Sequence, residues 1–370
     1  VTRWLSAVFF AIALGLAFLQ APAAEPPAFV AQPSATPSML PPEFSLEKLP
    51  AAAASAHAST LTELADGRLA VAWYAGTREG APDVEIWLST RDNQGWSPPR
   101  VVANRADTTA GTGASVRKLG NPVLYADSKH LHLWYVSVSV GGWSGSSINH
   151  RISDDDGQSW SAVEKLTTSP FFNLGTLVRT QPVALADGGL GLPVYHELFG
   201  RRGEWLRIST SGRILGKARL PSPGSALQPA VAAIDERHGI ALLRSADRKN
   251  NSVMADVTAD GGATWQASAS LPIANYNSSV ALLRLRSGRL VLATNPHPGR
   301  SLLQLFFSDD NGKTWRPARI IENDPDAAAE YSYPALLQTS DGRIHLTYTF
   351  RRQTIAHAVF TDAALTEGAP

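Results

Sequence analysis

Six times along this chain, a short start containing proline or small residues leads through an apolar stretch into a turn. A second β-rich stretch follows each turn. The copies open at His57-Ala-Ser-Thr, Gly120-Asn-Pro-Val, Thr180-Gln-Pro-Val, Leu227-Gln-Pro-Ala, Asn277-Ser-Ser-Val and Tyr331-Ser-Tyr-Pro. Their turns centre on Gly67, Ser128, Gly188, Gly239, Gly288 and Gly342, at separations of 61, 60, 51, 49 and 54 residues. A repeat of that length holds one four-stranded antiparallel unit. The sequence therefore predicts an all-β fold: a six-bladed β-propeller of four-stranded antiparallel blades.

A second marker keeps step with the first. Ser153-Asp-Asp-Asp-Gly-Gln-Ser-Trp160, Thr258-Ala-Asp-Gly-Gly-Ala-Thr-Trp265 and Ser308-Asp-Asp-Asn-Gly-Lys-Thr-Trp315 share one pattern; residues 89–96 are a worn copy and residues 209–212 a vestige. The pattern encodes a hairpin turn. An Asp carboxylate accepts backbone N–H groups, a Gly takes a left-handed angle and a Trp packs across neighbouring strands. The sixth copy reaches Thr361, where its box should begin, without an outermost strand. Phe44-Ser-Leu-Glu-Lys-Leu49 resembles the strand that follows a box, such as Ser161-Ala-Val-Glu-Lys-Leu166. It is expected to close the ring by pairing beside residues 357–360, which removes an exposed sheet edge.

The region before the repeats has another character. Arg3, the apolar residues 4–19 and Ala21-Pro22-Ala23 read as an export signal over residues 1–23. Residues 24–42, rich in Pro, Ala and Ser, read as a flexible lead-in to a propeller over 43–365. The 370-residue sequence has no cysteine, which excludes disulfides, thiolate nucleophiles and thiolate metal sites. An exported chain without disulfides suits a bacterial periplasm or the cell exterior, and nothing after the signal is apolar enough to span a membrane. Its 33 basic and 32 acidic residues are interspersed, for a net charge of +1, so nucleic acid is not an expected partner. The chain is expected to act as a monomer.

With boxes in phase with a longer repeat, residues 43–361 resemble the sialidase (neuraminidase) superfamily, whose members carry BNR repeats or Asp boxes. The resemblance implies a six-bladed propeller with its active site at the mouth of the central channel and its boxes on the far rim. It also implies a retaining glycosidase with a Tyr nucleophile, a Glu that deprotonates it, an Asp acid/base and three Arg that clamp a sugar carboxylate. Planar guanidinium suits that clamp because it pairs a carboxylate through two N–H groups. On this alignment Tyr331, in Glu330-Tyr331-Ser332, matches the nucleophile, and Arg300 matches one clamp arginine. Arg244 and Arg248 are the candidates for a second.

The same alignment shows departures. His57-Ala58-Ser59 stands where the first clamp arginine is expected, and Gln228, which cannot take a proton, stands where the Glu is expected. The acid/base loop offers Glu79 and Asp83, although Asp83 fits equally well as a structural residue opening the next strand. Arg78 is a substitute arginine from a neighbouring loop. His57 and the cluster Tyr195-His196-Glu197 fall near the implied mouth, as do Arg351 and Arg352. Trp73, Trp87, Trp134 and Trp143 offer faces for sugar stacking, although strand periodicity assigns most of them to the core. His57, His196 and His297 lack metal-ligand spacing, so neither a catalytic metal nor a cofactor is expected.

Three functions follow from the resemblance and its departures. The first is an exo-glycosidase releasing a terminal acidic sugar, with sialic acid as the first candidate. The second is a uronic-acid polysaccharide lyase or hydrolase using His, Tyr and Arg. The third is a propeller that binds an acidic glycan without cleaving it.

Overall fold

A computed structural model describes residues 27–30, 40–169, 173–209, 211–247, 249 and 251–366. The proposed export signal lies outside the described residues. These residues form six antiparallel sheets. Their innermost strands are Ser55–Glu63, Lys118–Ala126, the broken strand Thr176–Val178 and Val183–Ala184, Ala226–Ala233, Ala281–Arg284 and Tyr331–Gln338. Each innermost strand touches those of the blades before and after it, and the sixth touches the first, so the sheets close into a ring.

Each sheet packs between two others, and that explains strands that are apolar on both faces. Leu69–Gly76 in blade 1 and Leu131–Val138 in blade 2 are buried at every residue. The apolar clusters accordingly lie between blades. One joins blades 1 and 2 through Tyr74, Ile86, Leu119 and Leu133, and another joins blades 5 and 6 through Leu303, Leu305, Leu346 and Tyr348. Two sheets count five strands because one strand position is broken. In blade 1, Gly95–Trp96 and Arg100–Ala103 both pair with Glu85–Asp92, interrupted by Pro98 and Pro99. In blade 3 the innermost strand breaks at residues 179–182.

The closing strand is Phe44–Lys48, paired antiparallel with Thr354–Phe360 from Phe44↔Phe360 to Lys48↔Ala356. Its Glu47 carboxylate accepts hydrogen bonds from Arg91 Nε at 2.8 Å and Trp96 Nε1 at 3.0 Å, and lies 2.8 Å from His357 Nδ1. The strand therefore ties blade 6 to blade 1. The His357 contact, together with Arg91 and against the effect of burial, holds the Glu47 carboxyl at about 2.

Two details differ from the sequence reading. Gly67, Gly188, Gly288 and Gly342 do take left-handed angles in their turns, with φ of 84, 81, 91 and 91°. Gly239 does not; it opens the strand Gly239–Ser245, and Asp235 makes the preceding turn by accepting from the N–H groups of Arg237 and His238. Within the lead-in, Phe29 is buried, bridges Leu185 and packs edge-on against Trp205 at 6.1 Å. Burying such a ring contributes roughly 2 kcal/mol, so this part of the lead-in is packed.

The boxes form the turns the sequence encodes. In the first, Asp155 accepts from Ser159 N at 2.8 Å and Ser159 Oγ at 2.6 Å, and Gly157 takes φ 81°. Arg68, in the first blade's inner turn, pairs with Asp156 of that box. Inner turns and boxes thus share one face, and strand alternation puts the starts of the innermost strands on the opposite face. Among the described residues no helix is long and apolar enough to cross a membrane.

Candidate active site

The site is built from one irregularity repeated around the ring. In four innermost strands, one residue near the start takes a left-handed backbone: Ala58, Asn121, Gln228 and Tyr333, with φ of 53, 43, 52 and 54°; Asn277, just ahead of Ala281–Arg284, does the same with φ 58°. Pairing slips at four of these places, between His57 and Thr60, Gly120 and Val123, Leu227 and Ala230, and Ser332 and Ala335. Such a bulge re-aims a side chain, and here it brings Asn121, Gln228 and Tyr333 to one cavity, which Asn277 also lines. Proline follows at 122, 229 and 334, where the interrupted ladder has no need of an N–H. A left-handed angle is costly for a residue as bulky as tyrosine, and such strain gathers at working sites.

The cavity, about 280 Å³, sits at the mouth of the central channel. Loops between the second and third strands of the blades add Arg201, Arg300 and Arg352, and the strand Gly239–Ser245 adds Arg244, set against Glu79 and Glu197. Trp143 forms part of the wall. It lies so close to Gly120 that a Cβ there would come within 2.7 Å of its ring. The lining thus carries four guanidinium groups against two carboxylates, a surface suited to an anionic ligand.

The polar groups are interlocked. Arg244 Nη1 donates to Tyr333 Oη at 3.2 Å and to Gln228 Oε1 at 3.1 Å, while its Nε donates to Asn277 Oδ1 at 2.8 Å. Tyr195 Oη accepts from Asn121 Nδ2 at 3.0 Å. Below the lining, Glu330 accepts from Arg300 at 2.6 Å and from Arg352 Nε at 2.5 Å, and Arg352 Nη1 donates to Glu79 at 2.7 Å. Burial works to raise the Glu330 pKa, but Arg300 and Arg352 outweigh it and hold it at about 2. Burial likewise raises the Tyr333 phenol, yet the charges of Arg244 and Arg300 prevail and it falls below its ordinary value of 10.0. For Tyr195 burial outweighs the Gln228 hydrogen bond and the Arg244 charge, and its phenol is pushed up.

The residues singled out from the sequence divide between this cavity and other places. Glu79, Gln228, Arg244 and Arg300 line it. Tyr331 does not: its hydroxyl donates to Asp324 at 2.5 Å and accepts from Arg351 Nε at 2.9 Å, and its ring packs edge-on against Phe350. The bulge between Ser332 and Ala335 breaks strand alternation, so Tyr333 reaches the channel while Tyr331 enters the blade 5–6 core. Arg351 belongs to the Asp324 cluster, whereas its neighbour Arg352 reaches the mouth.

His57 is buried behind Tyr333, with ring centroids 4.4 Å apart and Nδ1 3.0 Å from Thr349 Oγ1. Burial, then the Arg352 charge, keeps it neutral. His196 is buried on blade 3 with its ring against Phe199, outside the cavity lining. Asp83 accepts from Thr77 N at 2.9 Å, the structural alternative considered for it. Arg78 is exposed on the same loop, His297 is exposed, and Arg248 lies outside the described residues. Trp73 and Trp134 are core residues.

Sequence reasoning missed Tyr333, Asn121, Asn277, Arg201 and Arg179 as site residues, whereas Tyr195 and Glu197, placed near the mouth from the sequence, do line the cavity. A signal was present in Asn121-Pro, Gln228-Pro and Tyr333-Pro, which recur where the strands bulge. Arg179 closes the channel beneath the site. It is buried and donates to the backbone carbonyls of Ser59 at 3.1 Å, Tyr333 at 2.7 Å and Pro334 at 3.1 Å. Burial lowers its pKa to about 10. Arg179 also lines a second cavity, of about 290 Å³, bounded by later parts of the innermost strands.

Ring, boxes and a polar mouth define a six-bladed propeller of the BNR-repeat type. The family profile of the BNR repeat-like domain matches residues 67–346, and the chain belongs to that family. Among solved structures it is similar to a Hadza microbial sialidase (16% identity, TM-score 0.67, covering 84% of this chain and 66% of that one). It is similar to the NanB sialidase of Streptococcus pneumoniae (13% identity, TM-score 0.67, 90% and 72%). A Dyadobacter fermentans protein of unknown function is also similar (14% identity, TM-score 0.67, 86% and 99%). This chain thus spans slightly less than two thirds of the Hadza sialidase, and identities this low speak for the fold alone. No curated protein matches the sequence.

Proposed function

We propose that this protein is a glycosidase that takes a terminal acidic sugar into the mouth of the propeller, with sialic acid the first candidate. One observation carries the reading: the strained Tyr333 places its phenol in an arginine-lined cavity, with Arg244 on its oxygen and its pKa lowered. Arg300 and Arg201 hold the sugar carboxylate. Tyr333 attacks the anomeric carbon, the bond to the leaving oxygen breaks, and Glu79 or Glu197 delivers the proton that oxygen needs; water, giving its proton back to that carboxylate, then cleaves the tyrosyl-sugar bond and frees Tyr333. Gln228 cannot act as base, and the charges around Tyr333 partly replace that role by favouring phenolate.

The Gln228 substitution equally supports a propeller that binds an acidic sugar without turning it over. The elimination reading needs a histidine at the sugar, and neither His57 nor His196 lines the cavity. The export signal read over residues 1–23 supports action in the periplasm or outside the cell, tested by a mature N-terminus near Ala24.

The deciding experiment assays a fluorogenic sialoside and a panel of uronate polysaccharides, reading reducing ends and unsaturated products. The wild type is compared with Tyr333→Phe and Tyr331→Phe. Hydrolysis abolished in Tyr333→Phe and retained in Tyr331→Phe supports the assignment. Retained hydrolysis in Tyr333→Phe sinks it. Binding without turnover by the wild type on every substrate makes the protein a glycan receptor.

A further inference from the structure

On the face opposite the mouth, the inner turn of blade 2 gathers Asp127, His130 and His132. One ligand atom from each lies within 4.8 Å of the others. Two of the three are already fixed. Asp127 Oδ1 accepts from the N–H groups of Lys129 and His130, both at 2.7 Å, which leaves Oδ2 directed at His132 Nε2, 3.1 Å away. His132 is buried, with its ring stacked on Trp134 and on His150, and its Nδ1 lies 3.0 Å from His150 Nε2. A histidine ligand commonly has its second nitrogen held in this way. His130 is half-exposed, and its Nε2 lies 3.4 Å from Asp154 in the first box.

The molecule contains its own control. Blade 6 has the same stacked pair, with His345 Nδ1 2.9 Å from His357 Nε2. The strand pairs that flank the two turns correspond, Ala126↔Leu131 in blade 2 and Gln338↔Ile344 in blade 6. In blade 6, however, Thr339 takes the place of Asp127 and lies 3.1 Å from His345 Nε2, and Arg343 takes the place of His130, paired with Asp341 and Glu43. The buried histidine pair therefore needs neither the carboxylate nor the third imidazole to be part of a stable blade. Blade 2 has replaced a hydroxyl and a guanidinium by two groups that ligate metals.

We propose that Asp127, His130 and His132 bind a divalent transition-metal ion of the zinc type, with Asp154 or water completing the shell. Two imidazoles and a carboxylate suit Zn²⁺, Co²⁺ or Ni²⁺, whereas Ca²⁺ and Mg²⁺ prefer all-oxygen shells. Tetrahedral zinc with bonds of about 2.0–2.2 Å keeps its ligand atoms roughly 3.3 Å apart. The Asp127–His132 separation already meets this, and His130, half-exposed, is free to close in. When the metal takes His132 Nε2, the proton moves to Nδ1 and is donated to His150, so the pair changes tautomer together. The ion would clip the inner turn of blade 2 to the neighbouring box. That is a structural role on the face away from the mouth.

The test is metal binding by the purified full chain, stripped of metal and dialysed against micromolar Zn²⁺. A parallel Co²⁺ titration is followed by its visible absorption. Wild type is expected to retain one zinc per chain, to give the absorption of low-coordinate cobalt with nitrogen ligands and to melt higher with zinc. His130→Arg and Asp127→Thr, which copy blade 6, should bind at least roughly 100-fold more weakly with unchanged circular dichroism. His238→Gln, at an exposed His–Asp pair elsewhere, should bind as wild type does. Absence of zinc from the wild type, or undiminished binding in both blade 2 variants, overturns the proposal.

Discussion

The boxes on one face and the bulges on the other come from the same repeat and use it in opposite ways. Box contacts are local: Asp155, Asp260 and Asp310 each accept from the residue four positions on, with N···O distances of 2.8 Å in all three. At the mouth the backbone irregularity repeats, but the side chain it carries changes from Ala58 to Asn121, Gln228, Asn277 and Tyr333. The mouth's bonds also span the chain: Arg352 reaches Glu79 across 273 residues and Arg244 reaches Tyr333 across 89. A turn that satisfies itself can be copied from blade to blade without change. A mouth made by convergence works only when the copies differ, and the charge that lowers the Tyr333 pKa exists only once the ring is closed.

The contrast is open to attack, first at its strongest point. Tyr333→Phe is expected to reduce turnover by a factor on the order of 10³ or more while the melting temperature barely moves. A comparable loss of turnover in Asp260→Ala would erase the distinction between the two faces. Removing residues 43–50 is the next largest perturbation. It exposes the edge of Thr354–Phe360 and removes Glu47 from Arg91, Trp96 and His357. Denaturant unfolding should lose cooperativity or shift to a much lower midpoint, and unfolding identical to the parent's would refute closure.

Arg244→Gln sharpens the electrostatic side. With one of the two opposing charges gone, the Tyr333 phenol should titrate at higher pH. The ultraviolet difference between each protein and its Tyr333→Phe partner measures this, and an unmoved titration would remove Arg244 from the explanation. A smaller effect concerns Glu330, whose folded pKa of about 2 lies below the ordinary 4.5. The unfolded chain therefore binds more protons between those values. Stability from Glu330 is complete above about pH 4.5 and is lost as pH falls towards 2. Denaturant midpoints between pH 5 and 3 should fall less steeply in Glu330→Gln than in wild type. The smallest effect belongs to the rim, where Asp260→Ala removes turn hydrogen bonds worth about 1 kcal/mol each. Calorimetry should show a modest drop in midpoint, with turnover per folded molecule unchanged.

The blades, the boxes and the closing strand were legible in the sequence because each rests on short-range chemistry. Turn glycines, a carboxylate facing N–H groups four residues on, and apolar runs between turns need no knowledge of the rest of the molecule. Phe44–Lys48 was legible for the same reason: a missing strand at one end and a matching segment at the other. Glu79, Gln228, Arg244 and Arg300 were within reach because their repeats placed them at strand starts or in adjoining loops. Tyr331 and Tyr333 were not separable that way. Two residues apart, they would face the same side of a regular strand, and only the bulge sends one to the channel and the other into the core. His130 and His132 escape a local rule for a related reason: two apart, they lack the spacing of four that puts histidine pairs on one helix face, and only a turn leading into a strand brings them together. The sequence by itself thus determined the ring and its local turns. Which side chains meet at the axis was decided by ring closure, because Arg244, Arg300, Gln228 and Tyr333 come from three blades and no local rule relates them.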